Sequence, residues 1–235
     1  MRKYSFYRLP LFFVLLFLLR AADAFPANRE PGELTSYQGV ALGSVDDFYE
    51  NSIGGVRKVD LKTYRLKVDG LVGKPQSFTY QELKNIPRRK KLVTVHCVEG
   101  WKVTVLWEGI PIGELVLRAR VDAKVNTVIF HCADGYTTSL DFKTVSGKDM
   151  LLADSANGIP LPAKLGFPFI LVAEDKWGYK WARWIERIEF SDKVGFRGYW
   201  EQRGFNQKCF GASGSSGIGR RIGKPCRFSS RRTLP

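Results

Sequence analysis

The sequence predicts a single α+β domain built around a mixed β-sheet. Short runs in which apolar and polar residues alternate recur between residues 64 and 190, and a period of two is typical of half-buried strands. Helix-start signals stand between some of these runs, so short helices are interspersed with the strands. A chain of 235 residues is long enough to bury one sizeable core. We therefore expect one domain.

Residues 1–24 are predicted to be an export signal. A basic start is followed by an apolar stretch from Leu9 to Leu19 and by Ala22-Asp23-Ala24, a small-x-small cleavage site. The mature protein would begin at Phe25 with a polar lead-in that runs to residue 44. Because the apolar stretch is shorter than the roughly 20 residues that span a bilayer, an uncleaved membrane anchor is the weaker alternative. The expected location is outside the cytoplasm, in the periplasm.

The scaffold of the domain, predicted over residues 45–206, is indicated by local signals. Thr79 and Glu82 have the spacing of a capping box, which predicts a short helix to Ile86. The tight-turn dipeptide Asn157-Gly158 predicts a hairpin. Strands are predicted at 64–68, 125–132 and 185–190, and residues 150–156 form an apolar run that leads into the hairpin.

The central stretch of the chain joins two predicted strands through a turn. Val93-Val95-Cys97 and Val103-Val105-Trp107 each alternate with a period of two. Glu99-Gly100 interrupts them where the backbone must turn or bulge. Cys97 is therefore predicted to lie at a strand end, where a thiolate can leave the apolar layer and face a cleft.

Two features flank this stretch. The four cations Arg88–Lys91 precede it and have two interpretations: a solvated strand edge protected by charge, or an electropositive rim that attracts an anionic substrate or a cofactor phosphate. On the other side, Pro111 at a first helical position predicts a short helix that continues through Leu117.

The net charge of +14 does not indicate nucleic acid, because most of it lies at the two ends of the chain. Residues 1–24 carry +3, and residues 204–235 carry seven Lys and Arg with no acid, which leaves +4 for the body. A body with so small an excess of positive charge gives little support to nucleic-acid binding. The Gly/Ser/Arg-rich tail, residues 207–235, has the composition of disordered segments. Its Cys209 and Cys226 form the one plausible disulfide pair.

Two motifs carry a resemblance to a known family. Cys97-Val98-Glu99-Gly100-Trp101, followed by Trp107-Glu108-Gly109-Ile110-Pro111, resembles the core motif of the sulfite-oxidase-type molybdopterin oxidoreductases, in particular the branch that contains the catalytic subunit of protein-methionine-sulfoxide reductase. The resemblance covers about residues 45–206 and implies the sulfite-oxidase-type molybdopterin-binding fold. It also implies a molybdenum-molybdopterin cofactor, with Cys97 as the one protein ligand of the metal and Glu99 close by. A soft thiolate suits a redox-active metal of this kind.

The resemblance further implies which residues hold the cofactor. The run Val45-Asp46-Asp47-Phe48-Tyr49-Glu50 resembles the family's N-terminal cofactor loop, although aspartates stand where relatives carry asparagines. Cys132 falls where a threonine usually contacts the cofactor. Lys180 and Arg183 stand at two lysines of a segment that wraps the cofactor phosphate, supplemented by backbone amides. The implied cofactor contacts are Asp46, Tyr49, Glu50, Cys132, Lys180, Trp181, Ala182 and Arg183.

The chain also departs from the family pattern. Leu165 and Ile170 stand where many relatives carry a polar residue and an arginine that hold the pterin phosphate, and loss of a bidentate arginine removes a strong anion contact. The N-terminus has no Arg-Arg pair, whereas exported relatives generally carry a twin-arginine signal. These departures favour an alternative in which an exported binding module keeps the fold and has lost the cofactor.

The enzyme hypothesis is an exported oxidoreductase that reduces an S-oxide, either a small molecule or a protein, at the Cys97-ligated molybdenum. Because the sequence has no haem-attachment Cys-x-x-Cys-His motif, electrons are expected from a membrane or periplasmic donor. The alternative reaction is oxidation of an oxyanion such as sulfite. The sulfite-oxidising branch places Asn-Arg-Arg after its cysteine, where this chain has Gly100-Trp101-Lys102, and this difference favours the reductase.

Two rival chemistries use the same residues. A zinc site formed by His96, Cys97, His131 and Cys132 lacks Cys-x-x-Cys spacing, and neighbours on a strand point to opposite faces. A cysteine hydrolase would pair Cys97 with His131 across strands, but no third residue is obvious that would orient the histidine.

Overall fold

The computed structural model describes residues 29–206, which form two five-stranded sheets and a small two-stranded one. The strands are β1 (Ser36–Tyr37), β2 (Val40–Ala41), β3 (Leu66–Gly70), β4 (Gln76–Phe78), β5 (Arg89–His96), β6 (Lys102–Pro111), β7 (Thr127–Cys132), β8 (Thr137–Asp141), β9 (Leu151–Ala156), β10 (Ile159–Pro160), β11 (Ile170–Val172) and β12 (Ile185–Ser191). The helices are α1 (Tyr80–Lys84), α2 (Ile112–Ala119), α3 (Phe142–Gly147) and α4 (Tyr199–Gln202).

The export signal predicted at 1–24, the tail at 207–235 and the disulfide between Cys209 and Cys226 lie outside the described residues. Between residues 29 and 206, no helix combines the length and the apolar character needed to cross a membrane.

The first large sheet is mixed and has the strand order β4-β3-β12-β7-β8. β12 runs parallel to β3 and antiparallel to β7, so the predicted α+β class with a mixed sheet is confirmed. The second sheet, β10-β9-β6-β5 with β11 also on β9, is antiparallel throughout. The sequence analysis expects one sheet, because a period of two shows which residues face the core but not which strands pair. Residues of both sheets share one hydrophobic core.

The hairpin of β5 and β6 places the central cysteine. The two strands pair from Arg89 opposite Gly109 to His96 opposite Lys102, and β5 is the edge strand of its sheet. Just past the last pair, the Cys97 N–H donates to the Trp101 carbonyl at 2.9 Å and closes the predicted turn. Cys97 therefore lies at a strand end, as its sequence position predicts.

The cations Arg88–Lys91 lie on this edge strand or directly before it, and acidic side chains neutralise them. The ion pairs are Arg88 with Glu108 and Asp154, Arg89 with Asp149, Lys90 with Glu108, and Lys91 with Glu174. Charged side chains on an edge strand discourage pairing with another chain. This placement favours the protected-edge interpretation over an electropositive rim.

The lead-in, which carries no periodic signal in the sequence, is fixed to the domain by a buried glutamate. The Glu33 carboxylate accepts hydrogen bonds from the Val45 N–H at 2.7 Å, the Ser44 hydroxyl at 2.9 Å and the Asn157 side-chain amide at 2.8 Å. Charge-assisted bonds of this kind are among the stronger ones in proteins. They hold the Val45–Asp47 3₁₀ turn, which leads directly into the Tyr49-Glu50 segment.

Several predicted boundaries differ from the structure. Both reciprocal bonds of the Thr79–Glu82 capping box are present, but α1 ends at Lys84 rather than at Ile86. The strand predicted at 64–68 is β3, Leu66–Gly70, and Pro111 is the N-cap of α2 rather than its first residue. The strand that the family resemblance implies at 166–172 begins only at Ile170, because Ala163–Leu165 forms a 3₁₀ turn that ends on Gly166 with φ of 111°. A Cβ at Gly166 would lie 2.8 Å from Arg183 Cβ, so glycine allows the Arg183 segment to approach.

We predict that Gly109→Ala destabilises the fold, because Gly109 lies at the β6 bulge and a Cβ there would overlap the Leu152 carbonyl of β9. Overpacking of this kind costs about 1–3 kcal/mol. Gly147→Ala is the matched control, since nothing lies within 4 Å of the added Cβ at the end of α3. Urea unfolding of both variants measures the difference. Equal stabilities would show that the bulge does not require glycine.

Candidate active site

Cys97 presents its thiol to an open cavity while the residue itself is only 4% exposed. Burial raises the pKa of the Cys97 thiol to about 11. The Glu99 carboxylate lies 3.5 Å from the Cys97 sulfur and also accepts a 2.9 Å hydrogen bond from the Trp101 indole N–H. Glu99 is thus held beside the thiol, where the resemblance to the family places it.

The cavity has a volume of about 120 Å³ and opens to solvent, so it is smaller than the roughly 300–1,000 Å³ typical of small-molecule sites. Five parts of the chain contribute to its wall, around residues 51, 97, 134, 179 and 200. The last of these consists of Trp200 in α4 and Phe205 just after it, so the C-terminal end of the described chain helps to form the wall. The sequence analysis did not identify these aromatic residues as part of the site.

The N-terminal loop reaches the cavity through the residues directly after Glu50. The Glu50 carboxylate pairs with the Arg183 guanidinium at 3.1 Å, and the Asn51 side-chain oxygen accepts from Arg183 at 3.2 Å. Asn51 and Ser52 line the cavity, although the sequence analysis did not name them. Their position directly after the Phe-Tyr-Glu run was the signal that could have found them.

The two other residues expected from this loop lie further out. Tyr49 is 68% exposed, and its ring lies 6.0 Å from the Trp101 ring. Asp46 forms an ion pair with Lys164 and does not line the cavity. The aspartate that replaces a family asparagine here is therefore occupied by a neighbouring cation.

Arg183 is the cation that the structure brings to the cavity wall. Its side chain is 16% exposed, and one of its guanidinium nitrogens donates to the Lys164 carbonyl at 3.1 Å. Burial lowers the pKa of Arg183, and the neighbouring Glu50 carboxylate opposes that effect. The guanidinium is accordingly fixed in place by two other parts of the chain, Glu50-Asn51 and Lys164.

Lys180 lies away from the expected phosphate contact. Its side chain is 1% exposed, pairs with Glu201 and donates to the Ser139 carbonyl at 3.0 Å. Burial lowers the pKa of Lys180. The Gly178–Lys180 3₁₀ turn directs this side chain into the protein, where it holds α4 against the site loop instead of lining the cavity.

Of the three remaining residues expected to contact the cofactor, one lines the cavity and two do not. Trp181 lines the cavity, and its indole N–H donates to the Lys176 carbonyl at 3.1 Å. Ala182 is fully buried, and its carbonyl accepts from the Leu171 N–H. Cys132 is buried beside the Arg183 backbone, and burial raises the pKa of its thiol. Cys132 and Ala182 support the wall from behind, whereas Trp181 is part of it.

His131 lies apart from the cavity, since its ring nitrogen is 3.0 Å from Glu189 on the open face of the mixed sheet. A hydrolase pair of Cys97 with His131 is therefore not formed. In the part of the chain that the structure describes, no group of three or more His, Cys, Asp and Glu side chains could hold a metal ion.

The residues present fit a molybdopterin cofactor. Cys97 offers one soft donor, which suits a metal whose other ligands belong to an organic cofactor. Arg183 offers a fixed cation to an anionic group. The Ser52 hydroxyl is buried at the cavity with no hydrogen-bond partner in the protein, so a bound polar group would satisfy it.

Comparisons with known proteins agree with this site. The chain is 36% identical over 151 residues to a protein of Azospira oryzae provisionally named protein-methionine-sulfoxide reductase subunit YedZ1. The matched region covers 64% of this chain and 57% of that protein. It is 30% identical to the protein-methionine-sulfoxide reductase catalytic subunit MsrP of Xanthomonas axonopodis pv. citri, over 74% of this chain and 60% of the relative. The chain thus spans somewhat less than two thirds of the length of these relatives.

A solved structure and a family model complete the comparison. The sulfane dehydrogenase SoxCD from Paracoccus pantotrophus superposes with a TM-score of 0.57 at 22% identity, over 74% of this chain and 55% of that chain, which shows a shared fold. The model of the oxidoreductase molybdopterin binding domain matches residues 53–200. This chain belongs to the oxidoreductase molybdopterin-binding domain family and has the sulfite-oxidase-type fold.

Proposed function

We propose that this protein reduces a neutral S-oxide at a molybdenum centre that Cys97 ligates. The names of the methionine-sulfoxide reductase relatives support the reaction class. The observation that carries the proposal is the charge of the cavity wall. Its charged residues are Glu99, Asp134 and Arg183, and Arg183 already pairs with Glu50.

This arrangement of charge discriminates between the two candidate substrates. An oxyanion such as sulfite would meet two carboxylates and a cation that is already paired, so its approach is unfavourable. A neutral S-oxide avoids that repulsion. The aromatic wall of Tyr179, Trp181 and Trp200 also suits the thioether product, because divalent sulfur makes favourable contacts with aromatic rings.

The chain's own residues have separate roles in this proposal. The cofactor, when bound, supplies a two-electron redox centre that exchanges an oxygen atom with the substrate. Cys97 provides the thiolate ligand, Arg183 and Ser52 bind the polar groups of the cofactor, and Glu99 is fixed beside the thiol. Overall, S-oxide plus two electrons and two protons gives thioether and water. The electrons come from a separate donor, and the predicted signal at residues 1–24 supports a site of action outside the cytoplasm.

A second candidate is a binding module that has kept the fold and lost the cofactor. The Glu50–Arg183 pair favours it, because the charge of Arg183 is satisfied within the protein and a phosphate would have to displace a carboxylate. Molybdenum content therefore distinguishes the two candidates.

We predict that protein made in a cofactor-competent host reduces methionine sulfoxide with a reduced viologen dye. Its kcat/KM for sulfite oxidation with ferricyanide should be lower by at least about tenfold, the factor that ~1.4 kcal/mol of repulsion produces. Steady-state kinetics with both substrates measure the ratio. A preference for sulfite would contradict the assignment of substrate class.

Replacing Cys97 with Ser should abolish turnover while the fold is unchanged, because the hard hydroxyl is a poor substitute for a soft thiolate. Cys132→Ala is the matched control, since Cys132 is the other cysteine between residues 29 and 206 and does not line the cavity. Steady-state kinetics and circular dichroism measure turnover and fold. If the Cys97→Ser protein keeps full turnover, Cys97 is not the ligand.

Arg183→Ala should weaken cofactor retention by roughly one to two orders of magnitude, because a charged hydrogen bond contributes about 1.5–3 kcal/mol. The control is Arg187→Ala, which removes a half-buried arginine that is paired with carboxylates and does not line the cavity. Fluorescence of pterin released on dialysis measures retention. Equal losses in the two variants would mean that Arg183 acts through the fold alone.

A further inference from the structure

A second cavity forms a basic groove on the open face of the mixed sheet. Its cationic lining residues are Arg57, Lys58, Arg65, Lys67 and Arg187, and its acidic ones are Asp60 and Glu186. Lys58, Arg65 and Lys67 are exposed, so their charges face solvent. Asp69 and Glu189 neutralise Arg187, so the excess of positive charge in the groove comes from the four other cations against Asp60 and Glu186, in contrast to the wall of the Cys97 cavity.

The sheet arranges part of this charge in a row. Lys67 on β3 lies opposite Arg187 on β12, and Arg187 lies opposite His131 on β7. Arg187 is held in place by Asp69 at 2.8 Å and by Glu189 at 3.0 Å. The row is thus built on rigid strands, while Lys58 and Arg65 extend from the neighbouring loop.

The basic groove adjoins the Cys97 cavity. Ala133 lines the groove and Asp134 lines the cavity, so one turn of chain separates them. A second segment also reaches both openings: Asn51 and Ser52 line the cavity, and the groove is lined by Arg57 and residues after it. A partner seated in the groove would lie next to the redox site.

We propose that the basic groove is the docking surface for an acidic one-electron carrier protein that supplies the reducing electrons, an inference that rests on the proposed function. Two reduced carriers are oxidised for each S-oxide reduced, and two protons from solvent complete the thioether and water. Complementary charge speeds the encounter of such partners and selects among them.

The lining of the groove favours an acidic protein over single-stranded nucleic acid. Binding of bases without sequence preference uses exposed aromatic rings as stacking surfaces. The aromatic residue that lines the groove, Tyr64, is 4% exposed, and its hydroxyl donates to the Ile185 carbonyl at 2.5 Å. It therefore offers no stacking surface.

A binding experiment tests the groove directly, with oxidised flavodoxin as an acidic probe and thermophoresis as the readout. The double variant Lys58→Glu, Lys67→Glu should raise the Kd by about tenfold. Each exposed charge pair changes the affinity by less than that, and the variant reverses two of them. The control Lys124→Glu, Lys143→Glu makes the same change of net charge at exposed positions outside the groove and should leave the Kd nearly unchanged. Equal weakening in both variants, or stronger binding of a single-stranded oligonucleotide than of flavodoxin, overturns the proposal.

A rate measurement then separates this inference from the proposed function. With reduced flavodoxin as donor, the Lys58→Glu, Lys67→Glu variant should reduce methionine sulfoxide more slowly than wild type, while the rate with reduced viologen stays the same. Equal loss with both donors, or no loss with flavodoxin, contradicts docking in the groove. If wild type fails with viologen, the proposed function is wrong and the groove is not an electron entry, whatever the binding experiment gives.

Discussion

The packing of Trp107 is the constraint on which the site depends. This fully buried ring of β6 lies 6.0 Å from the Phe48 ring and 5.5 Å from the Trp181 ring. Phe48 leads into the loop that carries Glu50, Trp181 leads into Arg183, and β6 pairs with the strand that ends at Cys97. Such aromatic pairs contribute about 0.5–1.5 kcal/mol each beyond the area they bury. One ring therefore brings together the three segments that supply the thiol, the cation and the polar wall.

The distribution of charge separates two tasks on neighbouring surfaces. In the cavity, Arg183 is paired with Glu50 and the remaining charged side chains of the wall are acidic, which suits a neutral substrate. In the basic groove the excess charge is positive and comes from Arg57, Lys58, Arg65 and Lys67, which suits an acidic partner.

Local signals explain how much could be predicted from the sequence. The capping box of Thr79, the hairpin at Asn157 and the strand-end position of Cys97 depend on residues close together in the chain, and each appears in the structure. Lys180 and Glu33 could not be placed in this way. Their partners are distant in sequence, so nothing near Lys180 shows that it turns inward, and nothing near Glu33 shows that an aperiodic segment is fixed by a buried carboxylate. Lys180 was expected to bind phosphate because it stands at a lysine of the family's cofactor segment, and that motif does not show which way the side chain turns.

The central claim is that the Cys97 sulfur is bound to molybdenum. The most direct measurement is molybdenum X-ray absorption on holoprotein in which selenocysteine replaces Cys97, because selenium scatters distinctly from the sulfurs of the cofactor. The account predicts a selenium scatterer in the first coordination shell of molybdenum. Bound molybdenum with sulfur and oxygen neighbours and no selenium would contradict it.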